Sequence, residues 1–207
     1  MTLQFSAWLC VFVSSLLAAE PELQRFTFEE AHMGTRFKII VYAADEASAK
    51  EGSKAAFARI ADLDRIMSDY RQTSELMQLC EKSGTQPVPV STDLFYVLSR
   101  AEDLSRRTNG AFDITVGPIV KLWRRVRFTK KLPTKEQLDE ARGLVGFDAV
   151  KLDKDKQTVQ LLKKGMKLDL GGIAKGHAAQ QARELLKKMG LPRALVAAGG
   201  DIVTGSP

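Results

Sequence analysis

Apolar and polar positions along the chain alternate between two periods, and the switches between them outline most of the elements. Arg36 to Ala43 (RFKIIVYA) has the short, β-branched character of a strand. Ala56, Ile60, Leu63, Met67 and Tyr70 then recur at spacings of four and three, an amphipathic helix whose buried stripe ends at Tyr70. Ser48 with Glu51 supplies a capping box at its start. A second helix carries Leu94, Val97, Leu98, Ala101 and Leu104, and Asn109-Gly110 can take the left-handed conformation that ends it. A third begins at about Thr134, boxed with Gln137, and runs to Gly146. Ala149 to Leu162 reads as two short strands joined through KDKQ. The strand KLDL follows, then Gly171-Gly172, a helix from about Ile173 to Met189 closed by Gly190, and the strand ALVAA ending at Gly199-Gly200-Asp201. Hairpins mixed with helices predict an α+β fold rather than a regular βαβ array.

The pattern breaks at the N-terminus. Leu3 to Ala19 (LQFSAWLCVFVSSLLAA) is apolar, uncharged and followed by Glu20-Pro21, as in the hydrophobic region and small-residue end of a secretory signal. It is short for a membrane span; an uncleaved N-terminal anchor is the alternative, since no Lys or Arg precedes the run and Leu17 sits where a small residue is preferred. Residues 20 to 207 then form the working domain. Cys10 lies within the run, so after cleavage only Cys80 remains and no internal disulfide is possible. Cys80 reads as a buried small hydrophobe, with a cysteine nucleophile as the sharper alternative. With 207 residues, 44% of them hydrophobic, the chain can bury a core of its own. Its formal net charge of +6 favours an acidic partner such as a nucleotide cofactor, nucleic acid or anionic lipid.

Two stretches carry candidate chemistry. In LDLGGIAKGHAA (168 to 179) an apolar run passes through two glycines into a helix, leaving first-turn N–H groups without intrahelical partners and their backbone open to close approach. Such an end attracts phosphate. Lys175 inside the first turn opposes the helix dipole, a position that an anionic ligand would explain, and Asp169 would take hydroxyls or a base edge or help place a metal. The spacing is neither GxGxxG nor GxxxxGK[ST], and the bland reading is a tight strand-to-helix connection. In TNGAFDITVGPIVKLW (108 to 123), Asp113 sits between aromatic and β-branched neighbours, with Gly110, Gly117 and Pro118 fixing the turns around it. It is either a carboxylate presented to a ligand or a helix or turn cap.

Met33-Gly34-Thr35, MSDYRQTSEL (67 to 76), GAFDITVGPIVKLW (110 to 123), LDLGGIAKG (168 to 176) and AAGGDI (197 to 202), in that order, resemble the ApbE family of FAD:protein FMN transferases. The resemblance covers nearly everything after the export segment. It implies FAD as substrate, Mg2+, and transfer of FMN onto a threonine of an acceptor redox protein with release of AMP. It implies export to the periplasm or the outer face of the inner membrane, where the acceptor could be membrane-associated. It further implies a flavin-nucleotide pocket lined by Met33, Tyr70, Ala111, Phe112, Asp113, Asp169 and Lys175, and a metal held partly by backbone oxygen around Gly172 to Ala174. Met33 and Tyr70 could instead be core, Glu75 a cap or pairing residue, and His32 and His177 structural histidines.

Two departures stand out. KLWRRVRFTKK (121 to 131) has six basic residues in eleven, where many family members carry a glycine-rich LWGFG-like segment. It reads as a solvated basic face, or as a contact for an acidic partner or phosphate. The family's HxxDPxTG-type motif, which supplies a histidine and the principal Mg2+ ligands, lies beyond the position matching Pro207, so this chain is expected to carry one wall of a two-walled site. An FAD-binding or FAD-hydrolysing protein without transfer activity remains the alternative; export argues against a basic nucleic-acid-binding module, and no nucleic acid partner is expected.

Overall fold

A computed structural model of the chain describes residues 22–205. The apolar N-terminal run, Cys10 and Pro207 lie outside the described residues. The RFKIIVYA pattern folds as a strand that buries Phe37, Ile39, Val41 and Ala43 on one face. This strand, β2 (Thr35–Ala43), pairs antiparallel along its whole length with β1 (Gln24–His32). Met33 and Gly34 form the two-residue hairpin turn between them, with φ of 49° and 71°. Positive φ at both central residues is the mirror-image turn whose twist matches the strands; glycine takes it freely and Met33 does not.

On its other edge β2 pairs with β6 (Ala194–Ala198), which pairs with β7 (Asp201–Thr204), giving an antiparallel sheet in the order β1-β2-β6-β7. Helices α1 (Glu46–Met67) and α6 (Ala174–Lys188) pack against each other, α1 on β1 and β2 and α6 on β6 and β7. A second antiparallel sheet has the order β3-β5-β4, from β3 (Val88–Pro89), β4 (Val150–Asp153) and β5 (Thr158–Leu161). Helices α2 (Glu75–Glu81), α3 (Thr92–Arg107), α4 (Gly117–Thr129) and α5 (Lys135–Gly143) complete the α+β fold. One apolar cluster runs from Phe37 of β2 through Ile60 of α1 and Leu94 of α3 to Leu161 of β5 and Leu170 before α6. No helix among the described residues is long and apolar enough to cross a membrane.

Several expectations change in detail. Asp45, not Ser48, caps α1: its carboxylate accepts from the Ser48 amide at 2.8 Å, which places Ser48 and Glu51 inside the helix. The buried stripe of α1 ends at Met67, because Ser68 turns extended and throws Tyr70 into solvent. The third helix stops at Gly143, three residues before Gly146. KLDL is not part of a ladder. Its Asp169 amide donates to the Ile114 carbonyl (2.8 Å) and its Leu168 amide to Cys80 Sγ (3.3 Å), so single contacts from two neighbouring segments hold it extended. Gly117 and Pro118 do not make a turn: they open α4, where a proline in the first turn loses no intrahelical bond.

Gly117 is required by space. A Cβ there would meet the Lys167 carbonyl oxygen at 2.5 Å, so α4 starts in backbone contact with the segment leading to Asp169. Gly117→Ala should lower stability by about 1–3 kcal/mol, because backbone rather than a flexible side chain must move. Urea denaturation of wild type and variant measures this, and an unchanged midpoint would contradict the close approach.

Candidate functional site

Between the first sheet and α4 lies a cleft of about 370 Å³, walled by the Met33-Gly34 turn, the loop after α1, Arg124, and the Leu170–Lys175 stretch opening α6. The loop after α1 is built by serines. Ser68 Oγ accepts from the amides of Tyr70 and Arg71, both at 3.3 Å, and Ser74 Oγ donates to the Ser68 carbonyl at 2.6 Å. This winds residues 68–74 tightly before α2 and turns Asp69 and Tyr70 toward the cleft. Arg71 reaches back to the buried Asp64 at 3.0 Å, so that carboxylate has its partner.

Asp169 ties the walls together. One carboxylate oxygen accepts from the Gly171 amide at 2.8 Å and fixes the glycine turn; the other accepts from Arg124 Nη2 at 3.0 Å. Arg124 Nη1 donates to Asp69 at 2.5 Å, and the guanidinium carbon stands 4.1 Å from the Tyr70 ring centroid. Burial pushes the Asp69 carboxyl up, opposed by the hydrogen bond from Arg124 and helped by the negative charge of Asp169. Burial opposes the charge on Arg124, but the hydrogen bond and charge of Asp69 outweigh it and hold the guanidinium above its ordinary value. Arg124 therefore stays cationic between two carboxylates.

Across the cleft, α6 begins without a side-chain cap. The Ala174 amide is taken by the Leu170 carbonyl at 2.8 Å, while those of Gly172, Lys175 and Gly176 have no acceptor among the described residues. Lys175 Nζ donates to the Gly171 carbonyl at 2.7 Å and lines the cleft, leaving two of its three N–H bonds uncommitted. Free helix-start amides beside an ammonium suit an anion.

Of the residues singled out in the sequence, Met33, Tyr70 and Lys175 line this cleft, and Asp169 braces it with both oxygens already engaged by the chain. Tyr70 is 69% exposed, so it is not core, whereas Met33 is half-buried against the core. The trio at 111–113 stands apart from the lining. Ala111 is exposed, Phe112 packs its ring 3.2 Å from where a Gly172 Cβ would sit, and Asp113 caps the 3-10 turn Ile114–Val116. Asp113 accepts from the amide and hydroxyl of Thr115, each at 2.7 Å, and from the Phe147 amide at 3.1 Å. Glu75 holds both the amide and the hydroxyl of Ser91, the residue capping α3. Cys80 is buried, and burial pushes its thiol up. His32 pairs with Glu30 and stacks on Phe57, while His177 faces Tyr96 of α3 at 5.3 Å.

A divalent cation near Gly172 and Ala174 would need several oxygens. Among the described residues no group of three or more His, Cys, Asp or Glu side chains could hold one. Asp64, Asp69 and Asp169 are each engaged by arginine, and the Gly171 carbonyl by the Lys175 ammonium. The described residues do not fit a protein-caged metal.

Sequence reasoning singled out neither Asp69 nor Arg124: it left 121–131 as a solvated basic face or a contact for an acidic partner or phosphate, without separating Arg124 from its neighbours. A signal existed: with Gly117-Pro118 read as a helix start, Arg124 falls two turns on, on the face of Gly117 that touches the Lys167 backbone.

An α+β fold with an anion-suited cleft beside an exposed tyrosine is what the geometry defines. Residues 33–207 match the model of the ApbE family, and the chain belongs to that family. It is 32% identical over 195 residues to the FAD:protein FMN transferase of Haemophilus influenzae, covering 91% of this chain and 56% of the relative. It is 30% identical to that of Klebsiella pneumoniae over 179 residues, covering 86% and 55%. The solved flavin transferase ApbE from Vibrio cholerae superposes with a TM-score of 0.81 at 27% identity, covering 89% of this chain and 60% of that one. The ApbE protein from Thermotoga maritima gives 0.80 at 26%, with the same coverage. The chain spans about half the length of the curated relatives it matches.

Burial holds the His177 imidazole below its ordinary 6.5, more strongly than the Asp93 charge raises it. Folding therefore favours the neutral ring. As pH falls below 6.5 the unfolded chain takes up a proton that the folded chain refuses, so stability drops progressively until the lowered folded value is reached. Chemical denaturation at pH 7 and pH 5 should show a smaller loss in His177→Gln than in wild type; equal losses would contradict the burial.

Proposed function

We propose that this chain binds FAD in the cleft and acts in moving its FMN part onto a threonine hydroxyl of an acceptor redox protein, releasing AMP. The observation that carries this reading is the pairing, in one cleft, of the uncommitted amide and ammonium donors of Lys175 at the start of α6 with the exposed ring of Tyr70. A flavin dinucleotide presents the matching chemistry, a diphosphate beside a planar aromatic system. The name FAD:protein FMN transferase borne by the similar proteins supports the same ligand.

In this reading the amides of Gly172, Lys175 and Gly176, with the Lys175 ammonium, hold the diphosphate, and Tyr70 and Met33 receive the isoalloxazine ring. The threonine oxygen forms a bond to the FMN-side phosphorus as the bond from that phosphorus to the bridging oxygen breaks. AMP leaves with that oxygen, and the hydroxyl proton passes to solvent. Fixed amides and an ammonium already anchored on the Gly171 carbonyl lower the barrier by holding the phosphorus in line and offsetting the charge that builds on it. Mg2+ belongs to this reading as a counter-ion of the diphosphate, outside any cage of the described residues. Export, through Leu3 to Ala19, and a membrane-associated acceptor belong to it as well.

Calorimetric titration with FAD tests the binding half. Lys175→Ala should weaken FAD by about tenfold or more, the worth of one charge-assisted contact to phosphate. Unchanged affinity would remove the cleft from the proposal. Mass spectrometry of an acceptor co-incubated with a form that also carries the family's HxxDPxTG-type segment tests the transfer half: FMN should add covalently, and free FMN and AMP with an unmodified acceptor would mark hydrolysis instead.

A further inference from the structure

The guanidinium of Arg124 is committed to less than it can do. An arginine carries five N–H donors in a fixed planar fork. One on Nη1 goes to Asp69 and one on Nη2 to Asp169. The Nε–H and one donor on each Nη have no acceptor among the described residues, although the side chain is only 30% exposed and lines the cleft. Asp69 and Asp169 come from different segments and face one another closely enough for the charge of Asp169 to raise the Asp69 carboxyl. Two such carboxylates are where a divalent cation would otherwise be drawn, and Arg124 fills the place between them. Arg124, Asp169, Gly171 and Lys175 form one continuous hydrogen-bonded path, so the uncommitted donors of both cations flank the same glycine turn.

We propose that Arg124 is a built-in cation for the ligand's diphosphate, binding phosphate oxygen through its uncommitted donors and doing at this wall, without a metal, what a divalent ion would do between Asp69 and Asp169. Its central carbon sits over the Tyr70 ring and two of its donors are fixed on Asp69 and Asp169, so the fork is positioned at the cleft before any ligand arrives. The inference rests on the reading that the cleft takes FAD for the identity of the ligand alone; the anion chemistry stands on the geometry. Lys121, Arg125, Arg127, Lys130 and Lys131 are exposed, lie outside the cleft lining and have no carboxylate partner among the described residues. They are screened surface charges with no such role.

The test is affinity for FAD and for inorganic pyrophosphate by calorimetry, in EDTA and in Mg2+, for wild type, Arg124→Ala, Arg124→Lys and Arg125→Ala. Wild type and Arg125→Ala should bind both ligands in EDTA, with less than about a threefold gain from Mg2+. Arg124→Ala should lose tenfold or more in EDTA and recover part of it in Mg2+, where the cation is held jointly by the freed carboxylates and the ligand's phosphates. Arg124→Lys should fall between, since it keeps the charge without the fork, and its retained melting profile separates lost contact from lost fold. Equal affinity of Arg124→Ala and wild type in EDTA would overturn the proposal, as would wild-type binding that appears only with Mg2+. Pyrophosphate binding that depends on Arg124, with no FAD binding, would keep this inference and remove the flavin reading. FAD binding indifferent to Arg124 would do the reverse.

Discussion

The site depends on a single carboxylate having to find partners. Asp169 is withdrawn from most solvent beside the start of α6, and a charge so placed is costly unless it is paired. Its two oxygens meet that need in opposite directions, one closing the turn at Gly171 and one holding Arg124. Through Arg124 the same constraint reaches Asp69 and the ring of Tyr70, so the loop after α1, the middle of α4 and the first turn of α6 are fixed to one another. Losing one member of a buried pair costs about 3–5 kcal/mol when the remaining charge is fully desolvated, and less here because Arg124 keeps some contact with water. None of the three segments makes the cleft alone.

The surrounding fold keeps that carboxylate in place without a regular ladder. The stretch before Asp169 is held by Cys80 Sγ and by the Ile114 carbonyl, and Gly117 lets α4 begin against the Lys167 backbone. Asp113 contributes by bonding Thr115 and Phe147 around the turn that carries Ile114. Its part in the described structure is thus to shape the support of the turn at 169–172. Glu75 acts likewise at the start of α3 through Ser91.

What could be read from the sequence follows from how each element is stabilised. β2, α3, the β4–β5 hairpin and α6 bury a periodic face, so their patterns were legible, and Thr134 with Gln137 forms the expected capping box. β1 and α4 were not, since β1 is an edge strand exposed at most positions and α4 buries only Gly117 and Pro118. A hydrophobic period has little to report where so little is buried. The glycine turn and Lys175 were visible because helix-start chemistry is local in sequence. The bridge from Asp69 to Arg124 to Asp169 spans 100 residues of chain, from position 69 to position 169, and no local pattern announces it. Membership in the ApbE family was legible from five short motifs in order, and the family match over residues 33–207 bears it out.

The central claim is that the start of α6 and Arg124 form two walls around one diphosphate. Determining the structure of the chain with FAD bound tests it most directly. The account predicts the diphosphate within hydrogen-bond reach of the Gly172, Lys175 and Gly176 amides on one side and of the Arg124 guanidinium on the other, with the isoalloxazine ring against Tyr70. FAD found on another surface, or seated in the cleft with its phosphates turned away from both α6 and Arg124, would contradict it.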